Sequence, residues 1–367
     1  MSRFNLIPRR REPLRLGFMP VTDCAPLVYA QEAGIFQKYD VDVELHRETS
    51  WSGIRDKVIQ GAFDAAHAPA TLPFMANLGL ESDPCACVSA LVLNLQGNGI
   101  TLSRELYDAG VRDATGLKDA ICAAWGKRTF TFAVPSPYST QYLLLRQWLL
   151  ASNITPEHEV RIVIVPVDQM FPTLKLGYID GYCAGEPWTS LAEHAEQGMC
   201  VATSAELAPL HPEKILIVRQ SFAAGRPEVH ERLIAALLEA CAFCDDPGNR
   251  EFLGGMLAHP QYVNAPLECL ETGFTGPVNA ANGVRRGALD LNIFCRHNAN
   301  EPSDEQAAWL IQRLYEVLDQ STFARQNLPR TPMLKNIFRR DIFERARLLA
   351  KSERPVENGV ATREVAG

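Results

Sequence analysis

A two-lobed α/β fold with a central ligand cleft and additional helices toward the C-terminus is the architecture this sequence predicts. Three observations lead there. Short apolar strands alternate with helical runs from Leu14 onward, polar or glycine-containing loops follow strand after strand, and an apolar stretch at Lys214–Val218 returns after two such series. Strands alternating with helices build open sheets covered by helices. In such sheets a small ligand lies beyond the carboxyl ends of the strands, close to helix N-termini whose free N–H groups favour anions.

The opening stretch sets the pattern. Leu14, Leu16 and Phe18 make a short strand ended by Pro20, and Pro26 starts a helix for which Asp23 reads as the cap. Val41, Val43 and Leu45 alternate with Asp42, Glu44 and His46, which predicts a strand exposed on one face or near an edge. A helix over Gly53–Gln60 follows the Ser52 loop, a strand over Phe63–Ala66 enters His67, and a helix runs from near Thr71 to Asn77. The apolar run Cys87–Leu95 ends at Gln96-Gly97-Asn98-Gly99 before a strand at Ile100–Ser103.

A second series begins near residue 104. Its strand Phe130–Val134 leads through Pro135–Thr140 into a helix over Gln141–Ser152, and a strand over Val160–Val167 precedes a helix from Asp168. Tyr178–Cys183 leads into the Ala184–Trp188 loop and another helix. The expected division is 14–103 for the first part of lobe 1, 104–213 for lobe 2, 214–349 for the return to lobe 1 with bracing helices, and 350–367 for a loose tail. Val229, Leu233, Leu237 and Cys241, like Ala307, Leu310, Leu314 and Leu318, lie at helical spacing and supply the bracing faces.

Composition narrows the function. A chain of 367 residues, 47% of them apolar, can bury two cores. A formal net charge of -7 gives no general attraction to nucleic acid or an anionic membrane. Arg9, Arg10 and Arg11 are followed by no signal-peptide core, and no stretch approaches the length needed to cross a bilayer, so a cytoplasmic location without membrane insertion is expected. Ten cysteines suit a reducing compartment. Cys85/Cys87 and Cys241/Cys244 invite a metal or redox reading, but no second Cys or His pair follows either one closely, and buried small side chains are the favoured explanation.

Chemistry is expected where the loops converge. Ser52, His67, Gln96, Asn98, Ser139, Thr140, Gln141, Glu186 and His211 are the polar groups gathered there. Ser139, Thr140 and Gln141 either touch a ligand or serve the helix start, and Trp51 is either an aromatic wall or core. Glu186 is expected to pair with a cation or cap a helix. A hydrolytic trio of Ser139, His67 and Asp180 can be drawn, yet no G-x-S-x-G surrounds the serine. The glycine loops of dinucleotide and nucleoside-triphosphate sites are also missing, so no catalytic residue, metal or cofactor is assigned.

GFMPVTDCAPLVYAQEAGIF, TSWSGIRD, the strand entering His67, LQGNGI, STQYLLLRQWLLAS and AGEPW together resemble the nitrate, nitrite and bicarbonate solute-binding proteins of ABC importers, over roughly residues 14 to 320. The resemblance implies a type II periplasmic-binding-protein-like fold that closes on a small anion, with no covalent chemistry. Within the family the chain is most similar to the cytoplasmic nitrate/nitrite sensors. These hold an RNA-binding antiterminator protein inactive and release it on ligand binding, without touching nucleic acid themselves. Gln141 resembles the family's ligand-contacting glutamine, and Gly185 a glycine whose backbone lines the pocket. The chain departs from the transporter pattern at Ala68, where a pocket tryptophan is expected, and at Pro209 or Leu210, where an anion-contacting lysine is expected; His67, His211 or Lys214 would compensate. An importer-associated binder of nitrate, bicarbonate or a small organic solute is the alternative, followed by a small-metabolite biosynthetic enzyme on the same architecture.

Overall fold

The computed structural model describes residues 12–156, 158–275, 291–318 and 336–352, together with the backbone of 277–279 and 285–287. Two sheets organise it. The first has the order β13-β4-β10-β3-β1-β2, built from β1 (Leu14–Phe18), β2 (Val43–Arg47), β3 (Ala65–Pro69), β4 (Cys87–Gln96), β10 (Pro212–Arg219) and β13 (Asn292–Ile293). The second has the order β7-β6-β8-β5-β9, built from β5 (Asn98–Ser103), β6 (Phe130–Val134), β7 (Val160–Ile164), β8 (Gly181–Gly185) and β9 (Gly198–Thr203). A short antiparallel pair, β11 (Pro277–Asn279) with β12 (Arg285–Gly287), forms a separate two-stranded sheet.

The two-lobed α/β architecture follows from the local patterns. β1 runs parallel to β2 and β3, as βαβ connections require, and β2 is the edge strand that its alternating Val43, Glu44 and Leu45 predict. β10 inserts antiparallel between β3 and β4 and so returns the chain to lobe 1. In the second sheet β6 runs parallel to β7 and β8, while β5 is antiparallel to β8 and β9.

Some boundaries differ from the sequence expectation. β5 is bonded into the second sheet, so the crossover lies at Gly97, whose φ of 102° suits glycine, and not after Ser103. Pro212 and Glu213 belong to β10 in the first sheet. Phe63 and Asp64 precede β3, and β9 was not anticipated. Asp23 caps nothing: the Ala25–Glu32 helix has no side-chain cap. The expected tail beyond residue 352 lies outside the described residues.

Helices brace the first sheet as expected. Leu233, Leu237, Cys241 and Cys244 of the Pro227–Asp245 helix share one core with Leu14, Leu16 and Phe18, joined by Ile342, Phe343 and Ala346 of the Arg340–Ser352 helix. Leu310 and Leu314 of the Asp304–Val317 helix pack in the core that reaches Trp51 and Trp188. All ten cysteines are free, and Cys241 and Cys244 are buried as apolar side chains. Among the described residues no helix is long and apolar enough to cross a membrane, and no group of three or more His, Cys, Asp or Glu side chains could hold a metal ion.

Candidate functional site

The site forms where strand ends of the two sheets meet. After β1 the chain turns through a short 3-10 helix, Thr22–Cys24, which places Asp23 inward. Asp23 Oδ1 lies 2.7 Å from His67 Nε2 on β3, and its Oδ2 lies 2.9 Å from Lys214 Nζ on β10. Lys214 Nζ donates to Glu213 Oε1 at 2.5 Å, and Glu213 Oε2 lies 3.1 Å from His211 Nε2. From lobe 2, Gln141 Nε2 donates to Glu213 Oε1 and to Asn98 Oδ1, each at 2.9 Å. One continuous polar network therefore bridges the lobes, and each of its members is buried, none more than 4% exposed.

Burial and charge act against each other here. Desolvation would raise the Asp23 carboxyl, but Lys214 and His67 more than offset it and hold it at about 2. Glu213 is treated likewise, desolvation being outweighed by Lys214 and His211, so it too stays ionised. For Lys214 desolvation pulls downward, and Asp23 and Glu213 together keep its pKa above the ordinary value. His67 goes the other way. Desolvation dominates over Asp23 and lowers its pKa, favouring the neutral ring.

Three buried nitrogens at this junction have no hydrogen-bond partner: Trp51 Nε1, His67 Nδ1 and Asn98 Nδ2. A buried unpaired polar group costs about 1–3 kcal/mol, and these three lie beside one network. Trp51, the first residue of the Trp51–Gln60 helix, sets its ring 5.5 Å from that of His67 and 5.5 Å from Lys214 Nζ. Gly185, at the end of β8, pairs with Asn98, and a Cβ there would stand 3.5 Å from Asn98 Oδ1 and 3.9 Å from Asp23 Oδ2. Its missing side chain leaves the junction open on that flank.

Residues matched with a protein-family model, positions 8–258, are those of the NMT1-like family. The chain belongs to this family. It is 38% identical over 304 residues to the nitrate import ATP-binding protein NrtC of Synechocystis sp. PCC 6803, covering 82% of this chain and 45% of that protein. It thus spans less than half the length of that relative. It is 31% identical over 308 residues to the nitrate/nitrite binding protein NrtA of Synechococcus elongatus PCC 7942, covering 81% of this chain and 69% of that protein. The crystal structure of the periplasmic nitrate-binding protein NrtA from Synechocystis PCC 6803 superposes with a TM-score of 0.83 at 25% identity, covering 94% of this chain and 91% of that one. The alkanesulfonate-binding protein SsuA from Xanthomonas axonopodis shares the fold, with a TM-score of 0.62 at 14% identity over 88% of this chain and 96% of that one.

Within this NMT1-like chain the structure sorts the anticipated residues. Trp51, His67, Asn98, Gln141, Gly185, His211 and Lys214 come together at the lobe junction. Ser139 accepts from the Tyr142 N–H and caps the Thr140–Ala151 helix, and Thr140 Oγ1 donates to Gln141 Oε1 at 3.3 Å, so these two orient Gln141. Gln96 Oε1 accepts from the Leu210 N–H at 2.9 Å and ties the two interlobe crossings together. Ser52 is exposed, its hydroxyl 3.1 Å from that of Ser50, and it lies away from the network. Ala68 is buried and brings no ring to the junction; the aromatic surface comes from Trp51. Leu210 is 44% exposed, and the buried ammonium is that of Lys214.

Glu186 has two functions. Its carboxylate accepts from the Ser190 N–H at 3.1 Å and caps the Trp188–His194 helix, while burial raises its pKa to about 7. Its backbone carbonyl accepts from Thr22 N at 2.8 Å and from Thr22 Oγ1 at 3.2 Å, a second tie across the lobes. The hydrolytic trio is not assembled: His67 faces Asp23, Ser139 Oγ donates to the Ser136 carbonyl at 2.8 Å, and Asp180 pairs with Arg128 and the Thr131 N–H. Asp23 and Glu213, absent from the anticipated set, are the anionic members of the interlobe network.

Proposed function

We propose that this chain is a ligand-binding sensor for a small oxyanion, nitrate or nitrite, and that ligand-driven lobe closure releases a partner RNA-binding antiterminator protein to regulate nitrate assimilation. The observation that carries the binding reading is the set of unpartnered nitrogens, Trp51 Nε1, Asn98 Nδ2 and His67 Nδ1, beside the interlobe network. Nitrate and nitrite only accept hydrogen bonds, and they match the Trp51 Nε1 and Asn98 Nδ2 donors that the protein itself leaves unused. The similarity to the nitrate import ATP-binding protein NrtC and the nitrate/nitrite binding protein NrtA supports the same class of ligand.

Ten free cysteines support a cytoplasmic setting for the sensor. A ligand moves the lobes only through its difference in affinity for their open and closed arrangements. Gln141 to Glu213 and Glu186 to Thr22 are the bonds that closure completes. Isothermal titration with nitrate, nitrite, bicarbonate and chloride at matched ionic strength tests the ligand. Saturable heat with nitrate or nitrite and none with chloride is expected. Silence with all four, matched by a silent thermal-shift assay, ends the anion reading. Antiterminator affinity unchanged by saturating nitrate ends the sensor reading. The engagement of Lys214 by both Asp23 and Glu213 favours, as a second reading, an importer-associated binder of a small organic solute.

A further inference from the structure

The charges at the junction are matched before any anion arrives. Asp23 and Glu213 share the single ammonium of Lys214. His211 presents Nδ1 to the Ala208 carbonyl at 2.7 Å and Nε2 to Glu213 at 3.1 Å, and both neighbours are acceptors, so both ring nitrogens are already engaged. With His211 doubly protonated the network is neutral, and with His211 neutral it carries one surplus negative charge. Neither count leaves a cation for an anionic ligand, and burying an uncompensated charge is strongly unfavourable.

His67 resolves this conflict. Its Nε2 faces the Asp23 carboxylate and therefore carries the proton of the neutral ring, which leaves Nδ1 as a bare lone pair. That nitrogen is fully buried and unpartnered, and its ring is 5.5 Å from that of Trp51, whose indole N–H is also unpartnered. A lone pair repels an oxyanion. One added proton changes it into a third donor and supplies the missing charge.

We propose that His67 binds the ligand, and that the site takes up its oxyanion together with one proton from solvent, held on His67 Nδ1. This rests on the anion reading of the site. The charged groups facing His67 are Asp23 from the loop after β1 and Lys214 and Glu213 from β10, with His211 behind Glu213; Trp51 on the Trp51–Gln60 helix adds no charge. Asp23 and Glu213 stay ionised and Lys214 stays charged through the neutral range, Glu186 is bonded to the Ser190 N–H, and both His211 nitrogens are engaged, so His67, whose Nδ1 has no partner, is the group placed to take the proton. Burial keeps the ligand-free ring neutral, and the bound anion reverses that preference.

Proton and anion binding are then reciprocally linked, and between the free and bound pKa values of His67 the apparent Kd rises about tenfold per pH unit. The test is titration of the full chain with sodium nitrate and with sodium nitrite between about pH 6 and pH 8, in paired buffers of different ionisation heat. Heats that differ between buffers by the uptake of about one proton, with affinity falling toward high pH, are expected. His67→Gln, its fold checked by circular dichroism, is expected to bind weakly with no buffer dependence. Saturable binding that is flat in pH and independent of buffer overturns the proton coupling and leaves the anion reading standing. Proton uptake unchanged in His67→Gln overturns the role of His67. Failure of the wild-type chain to bind either anion at any pH removes the anion reading, and this proposal with it.

Discussion

Replacing Lys214 by Met separates charge from volume at the centre of the network. The substitution keeps a long, unbranched side chain but removes the ammonium that Asp23 meets at 2.9 Å and Glu213 at 2.5 Å. Asp23 is held at about 2 against an ordinary 3.8, which corresponds to about 2 kcal/mol of preference for the charged form, much of it owed to Lys214. Glu213 adds a contribution of the same sign. Stripping one partner from a buried pair costs about 3–5 kcal/mol, and a loss of that size is expected in urea denaturation near neutral pH. In the wild type the depressed Asp23 stabilises the fold fully above its unfolded pKa, and this stabilisation is lost progressively as pH falls from 3.8 through about 2. In the variant desolvation, the largest influence on both carboxyls, acts unopposed by the ammonium and raises them. A raised carboxyl loses stability as pH rises through its folded value, so the deficit is expected to be largest near pH 8 and to narrow toward about pH 5. A deficit below about 1 kcal/mol, or one of constant size across that range, would refute the central role given to Lys214.

Other substitutions test separate parts of the arrangement. Glu186→Gln removes a buried carboxyl whose pKa of about 7 lies above the ordinary 4.5; the wild type loses stability as pH rises through 7, so the variant should gain about 2–3 kcal/mol relative to it between about pH 5 and pH 8, measured by urea denaturation at both. Gly97→Ala puts a side chain at φ 102° against Asn292 and should destabilise by at least about 1–2 kcal/mol, read as a lowered melting temperature. Asn98→Ala removes the acceptor for Gln141 and an unpartnered N–H, and nitrate affinity by calorimetry is expected to fall about tenfold to a hundredfold. Ser52→Ala should leave that affinity within about twofold, because the hydroxyl is exposed and outside the network.

Much of the fold was legible because period and punctuation agree. β1 and β6 coincide with their apolar runs, and Pro26 and Ser139 mark helix starts where expected. β9 escaped because its apolar run, Met199–Ala202, is short and does not alternate, and it becomes a strand by pairing with β5. Asp23 was misassigned for a related reason: an aspartate just before a proline-initiated helix has the local signature of a cap, while its partners His67 and Lys214 come from strands distant in sequence. Glu213 was hidden by periodicity itself. Neighbours on a strand normally face opposite sides, yet Glu213 and Lys214 meet at 2.5 Å, and the β10–β4 pairing is irregular on either side of Lys214. Such irregularities re-aim side chains and leave no signal in one sequence.

The same geometry assigns different work to the lobes. Lobe 1 contributes every charged member of the network, Asp23, Glu213 and Lys214, together with both histidines; lobe 2 contributes the neutral amides of Asn98 and Gln141 and the open flank at Gly185. A ligand held by lobe 1 alone would meet balanced charge but lack the Asn98 amide. Only the closed arrangement offers the complete set of donors, so binding energy gained from lobe 2 is the part that favours closure. Substitutions at Asn98 should therefore weaken ligand-driven closure as well as affinity, whereas His67→Gln should weaken affinity and abolish its dependence on pH.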